Sequence, residues 1–165
     1  MRISDKKAKQ FSTLDKLGSN LVKTLVGHFD QQQMLCEKLE SIADYLPTLL
    51  DTASALETSQ KLVPLLKNIH NFEEKNLFPL LLKHTTSFEF IEETILRLNN
   101  EHLGDEDFSE DVCAALQTYI TLQNRPQAES LSWMLRGIFE NIRRHVAFER
   151  EYIMPLAILI ERENR

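Results

Sequence analysis

Apolar residues recur at steps of three and four positions through most of the chain, which is the spacing of one face of an α-helix. The clearest stretch predicts a first helix over roughly 19–46. Its stripe consists of Leu14, Leu17, Leu21, Leu25, His28, Gln32, Leu35, Leu39, Ile42 and Leu46. The chain has only four glycines and five prolines in 165 residues, a composition that favours helix over sheet. The sequence therefore predicts an all-α fold.

Two helices are predicted in the middle of the chain. The second helix should run over about 59–84, with Ser59 as its N-cap and a kink or a break at Pro79. The third should begin near Phe88 and extend to about residue 122, because the apolar period resumes after Gly104. We therefore favour one continuous third helix over two shorter ones.

A fourth helix is predicted after the turn Asn124-Arg125-Pro126, and it should reach about residue 161 with a kink at Pro155. Four long amphipathic helices with short connections predict an up-down-up-down four-helix bundle over 19–165. Residues 1–18 show no strong period, and we expect an N-terminal arm or a short helix there.

Composition argues against several classes of protein. The formal net charge of −6 disfavours a nucleic-acid surface, which needs clustered lysine and arginine. No apolar run is long enough to span a membrane, and no signal peptide is recognisable, so we expect a cytoplasmic protein without a membrane partner. Cys36 and Cys113 form no Cys-x-x-Cys pair and are expected to be small apolar residues in or beside the core.

Each predicted helix carries one histidine on its apolar stripe. These are His28, His70, His102 and His145. His70 follows His28 by 42 residues, and His145 follows His102 by 43, so the two halves form an approximate pseudo-twofold repeat. His70 is followed four residues later by Glu74, and His145 by Glu149, which places each pair on one helix face.

Imidazoles and carboxylates on interior faces need partners, because an unpaired buried polar group is costly. A single histidine on an apolar face is usually satisfied within the core, but four at matching positions favour a shared metal site. Imidazole and carboxylate donors suit a first-row transition metal better than calcium or magnesium. A structural zinc site would usually contain thiolates, and the Glu-x-x-His motif of ferritin-type di-iron proteins is absent from the sequence.

Several neighbouring residues have weaker patterns. Glu106 follows His102 at the same four-residue spacing and is a possible further ligand, whereas Gln32, at the equivalent position after His28, coordinates metals poorly. Tyr152 is a possible hydrogen-bond donor near the site. Three other side chains are expected to be peripheral: Glu73 and Glu151 as ordinary exposed glutamates, and His84 as a surface or C-cap residue.

The histidine motifs, with Leu77-Phe78-Pro79 and Ile153-Met154-Pro155 trailing them, resemble the hemerythrin-like (HHE cation-binding) domain family over roughly 20–160. The resemblance implies a non-haem centre of two iron ions inside the bundle. It implies that His28 and His70 hold one iron, that His102 and His145 hold the other, and that Glu74 and Glu149 bridge them. The ligand pattern is closest to the di-iron branch linked to repair of damaged iron–sulfur centres, and it differs from the histidine-richer oxygen carriers.

Three functions remain open from the sequence. The first is a di-iron protein that binds or senses oxygen or nitric oxide, or handles iron in oxidative or nitrosative stress. The second is a di-iron enzyme that reduces nitric oxide or peroxide, with Tyr152 or Glu106 as the proton donor. The third is a metal-free helical interaction module in which the histidines form a buried polar network.

Overall fold

The structure, a computed structural model, describes residues 20–48, 51–85, 90–122 and 127–163. Its α-helices are α1 (Leu21–Tyr45), α2 (Thr52–Phe72), α3 (Phe78–His84), α4 (Ile91–Leu122), α5 (Ala128–Phe148) and α6 (Met154–Glu163). Two π-helical segments, Glu73–Leu77 and Glu149–Ile153, join α2 to α3 and α5 to α6. The described chain thus forms four long helices and contains no strand, which confirms the all-α prediction.

The long helices close into a ring. Helix α1 packs against α2 and α5, and α4 packs against the same two helices. Helices that follow one another in the sequence are therefore also neighbours in space, as an up-down-up-down bundle requires. Among the described helices, none combines the length and the apolar character needed to cross a membrane.

The predicted helix boundaries hold in part. Helix α4 is continuous through Gly104, as predicted. The predicted start of the second helix at Ser59 is wrong, because α2 begins at Thr52 and is capped by Asp51, whose carboxylate accepts a 2.8 Å hydrogen bond from the Ser54 N–H. The segment before Ser59 contains two alanines and a leucine, which are good helix formers. The predicted N-terminal arm, the helix start at Phe88 and the Asn124-Arg125-Pro126 turn lie outside the described residues.

The two prolines at which the sequence predicts a kink both lie just after a π segment. Pro79 and Pro155 each occupy the second position of the α-helix that follows a π segment. The Phe78 N–H donates to the Glu73 carbonyl, and the Met154 N–H donates to the Glu149 carbonyl, so each hydrogen bond spans five residues instead of four. Each helix therefore continues past its proline through a locally widened turn. Such turns occur frequently at functional sites.

The bundle interior consists of two apolar cores. The first core is formed by α1, α2, α4 and α5, with buried residues from Leu35 to Ala43 and from Leu131 to Ile142 among its members. The second lies toward the start of α1 and includes parts of α3, α4 and α6. Cys36 and Cys113 are free thiols buried in the first core, as predicted. Several buried polar or charged residues belong to neither core. They include Gln32, His70, Glu73, His102, Asp105, His145 and Glu149.

Candidate metal centre

Three side chains converge inside the bundle, where each offers one possible ligand atom. They are Glu73, His102 and His145, and their ligand atoms all lie within 4.8 Å of one another. All three are buried, and Glu73 and His102 have 0% of their surface exposed. Glu73 opens the first π segment, His102 lies on α4 and His145 lies on α5. Three of the four long helices therefore meet at this point.

Glu149 extends the cluster from the start of the second π segment. It is completely buried, and one of its carboxylate oxygens lies 3.7 Å from Nε2 of His145. Burial raises the pKa of Glu149 well above its ordinary value, and the neighbouring charge of Glu73 raises it further. Two carboxylates buried together are costly unless a proton or a cation lies between them.

Six polar atoms in this cluster have no hydrogen-bond partner. They are both carboxylate oxygens of Glu73, both of Glu149, and Nε2 of His102 and His145. Oε2 of Glu73 lies 3.0 Å from Nε2 of His102, but the two atoms are not aligned as a hydrogen bond. Because buried polar atoms are almost always satisfied, this concentration requires an explanation. Two imidazole nitrogens facing two carboxylates are a donor set that fits a transition-metal cation.

The outer nitrogens of three histidines are held by carboxylates. Nδ1 of His102 donates to Glu74 at 2.9 Å, and Nδ1 of His145 donates to Glu101 at 3.1 Å. His70 makes the same kind of contact with Glu106 at 2.8 Å. A carboxylate on Nδ1 fixes the tautomer of the ring and leaves Nε2 as a lone-pair donor. The Nε2 atom of His102 faces Glu73, and the Nε2 atom of His145 faces Glu149.

His28 and His70 lie outside the group of converging atoms. His28 is half-buried, its Nδ1 has no partner, and its ring meets the Phe72 ring edge-on at 4.9 Å. Burial lowers the pKa of His28, and the charge of Glu73 opposes this shift. His70 stacks on His102 with 3.9 Å between ring centroids. Burial, together with His102 and His145, lowers the pKa of His70 to about 2.

The two consecutive glutamates of the first half have opposite environments. Glu73 was predicted to be exposed, and that prediction is wrong because it is completely buried. Glu74, predicted as a ligand, has a side chain that is 41% exposed and contacts the outer nitrogen of His102. The proline spacing is the signal that identifies Glu73, because Glu73 precedes Pro79 by six residues, as Glu149 precedes Pro155.

The remaining candidates are peripheral to the cluster. Tyr152 is 54% exposed and stacks on Phe148, so it does not belong to the buried cluster. Glu106 contacts the outer nitrogen of His70. His84 is the last residue of α3, and its Nδ1 lies 3.4 Å from Oε2 of Glu163, as expected for a C-terminal helix residue.

Comparison with protein families identifies a matching domain. The family model of the hemerythrin HHE cation-binding domain matches residues 3–157, which is nearly the whole chain. No curated protein and no solved structure matches the chain significantly. The matched region includes both π segments and the whole histidine and glutamate cluster.

Proposed function

Because the chain belongs to the hemerythrin HHE cation-binding domain family, we propose that it is a non-haem iron protein whose buried centre binds or senses oxygen or nitric oxide. The observation that carries this proposal is the group of six unpaired donor atoms on Glu73, Glu149, His102 and His145. Bound iron would supply open coordination positions and accessible ferrous and ferric states, which a diatomic ligand requires.

The protein side chains prepare such a site in two ways. Glu74 and Glu101 accept hydrogen bonds from the outer nitrogens of His102 and His145, so that the inner nitrogens are free to bind a cation. The two apolar cores limit the access of bulk water to the buried cluster of histidines and glutamates. The arrangement favours a small uncharged ligand over a large polar substrate.

A role in oxidative or nitrosative stress is part of this proposal. Two buried, free thiols are compatible with a reducing compartment, and we propose that the protein acts in the cytoplasm. Reduction of nitric oxide or peroxide would need a proton donor at the centre, but Tyr152 is exposed and Glu106 is engaged by His70. Within the described residues, the contacts of Tyr152 and Glu106 do not favour turnover over binding. A metal-free module would leave the six donor atoms unsatisfied.

The test is an anaerobic titration of the iron-loaded protein with nitric oxide, followed by absorbance and electron paramagnetic resonance. We expect an iron–nitrosyl signal in the wild type that is lost in Glu73→Gln, because the variant replaces a buried anionic donor. His84→Ala is the matched control, since His84 lies at the end of α3 and contacts Glu163. A wild-type protein that takes up no ferrous iron, or iron-loaded protein that gives no signal, would refute the proposal.

A further inference from the structure

The two halves of the bundle align best on their π segments. The first runs Glu73-Glu-Lys-Asn-Leu-Phe-Pro79, and the second runs Glu149-Arg-Glu-Tyr-Ile-Met-Pro155. Each begins with a completely buried glutamate, has a buried aliphatic residue at its fifth position and is followed by proline at the seventh. The agreement extends to backbone structure, because both segments are π-helical over the same five positions.

This alignment changes which residues of the two halves correspond to His145 and His70. His145 precedes Glu149 by four residues, and the residue that precedes Glu73 by four is Ile69. His70 is shifted by one position and corresponds to Val146. A shift of one residue turns a side chain by about 100° around a helix with 3.6 residues per turn. The position equivalent to His145 in the first half is therefore occupied by an aliphatic side chain.

The surroundings of Ile69 and His70 agree with this assignment. Ile69 is completely buried but belongs to neither apolar core, although its helix neighbours Leu62 and Leu66 belong to the first core. His70 is directed to other contacts, since its Nδ1 is held by Glu106 and its ring stacks on His102.

The first half consequently offers one imidazole fewer to a metal than the second half does. His28 is its remaining candidate, and no carboxylate lies within hydrogen-bonding distance of its buried Nδ1. The second half and the shared carboxylates retain His102, His145, Glu73 and Glu149, which are all buried. The two potential metal positions therefore differ in the number of imidazoles available.

We propose that this centre holds one iron tightly, through His102, His145, Glu73 and Glu149, and that Ile69 prevents tight binding of a second. The inference rests on the proposed function and departs from the two irons that the resemblance implies. His70 is a positioning residue in this arrangement, because its ring packs in parallel on the face of His102. Its stacking contact requires a flat ring and does not require a nitrogen donor.

The test is iron stoichiometry. Metal-free protein is incubated anaerobically with excess ferrous iron, desalted, and analysed for iron and protein. We expect one iron per chain in the wild type and two in Ile69→His, a twofold increase. His70→Phe should retain one iron because the stacked ring is preserved, whereas His145→Ala should lose it. Circular dichroism of each variant establishes that the helices are intact.

The outcomes separate the two proposals. A wild-type chain with no iron refutes the proposed function, whereas two irons in the wild type refute only the one-iron inference. Loss of iron in a folded His70→Phe variant would also overturn the inference, since it would make His70 a ligand. If Ile69→His does not fold, the wild-type stoichiometry and His70→Phe still decide the question.

Discussion

Glu149 should destabilise the metal-free protein, and replacing it with methionine should therefore raise the free energy of unfolding. The side chain is completely buried, both of its oxygens lack hydrogen bonds, and burial together with nearby Glu73 disfavours its ionised form. An unsatisfied buried polar group costs about 1–3 kcal/mol, and methionine fills a similar volume without an oxygen that needs a partner. We expect Glu149→Met to gain about 1–3 kcal/mol without metal.

The pH dependence has a definite sign. Burial and Glu73 raise the pKa of Glu149 in the folded chain above its unfolded value. The native state therefore keeps a proton that the unfolded state releases, so the stability of metal-free wild type falls as the pH rises between the two pKa values. Glu149→Met lacks this group, and its advantage over the wild type should grow across the same range.

Urea unfolding of chelator-treated protein, followed by far-ultraviolet circular dichroism, measures the effect. Thermal unfolding is a second measurement, in which a change of 1 kcal/mol in the free energy of unfolding shifts the melting temperature of a chain of this size by about 2–4 °C. Glu151→Met is the matched control, because Glu151 is exposed two residues away and its replacement should change stability by less than about 0.5 kcal/mol. A metal-free Glu149→Met protein that is less stable than the wild type would refute the reasoning.

Three further experiments test other parts of the structure. Glu101→Gln should weaken iron affinity about 10–100-fold, because Glu101 orients His145, and unchanged affinity in a competition titration would contradict that role. The thiol of Cys36 has its pKa raised to about 12 by burial, so native protein at pH 8 should react with a thiol reagent far more slowly than unfolded protein. Equal rates would place Cys36 at the surface. Asp51→Ala should cost about 0.5–2 kcal/mol in urea unfolding because it removes the α2 cap, whereas Asp51→Asn should retain most of the stability. An unchanged Asp51→Ala protein would exclude the capping contribution.

The helical fold was predictable because its cause is periodic. Apolar side chains at steps of three and four must share a face, and burying four such faces together gives the bundle. Helix α4 illustrates the strength of this signal, since it continues through Gly104. The start of α2 was less predictable. Polar residues around Thr52 and Ser54 suit both a loop and a capped first turn, and only the contact with Asp51 distinguishes them.

The convergence of His102 and His145 was predictable for a similar reason, but the positions of the carboxylates were not. A spacing of four residues from His70 selects Glu74, and this spacing assumes that the first half has the same register as the second. The structure instead buries Glu73, at a spacing of three, and exposes much of Glu74. The contact between His145 and Glu101 links α5 to α4 and has no local sequence signal.

The unequal halves determine which helices the centre connects. Glu73, His102, His145 and Glu149 come from the two helices interrupted by π segments and from α4, whereas His28 is the one histidine on α1. Helix α1 is held through its apolar packing, including Leu25 in the second core and Leu39 in the first. The two buried carboxylates therefore lower the free energy of unfolding through the other three long helices, and a bound cation would offset this destabilisation. Helices α2, α4 and α5 therefore combine apolar packing with the buried polar cluster, whereas α1 contributes mainly apolar packing.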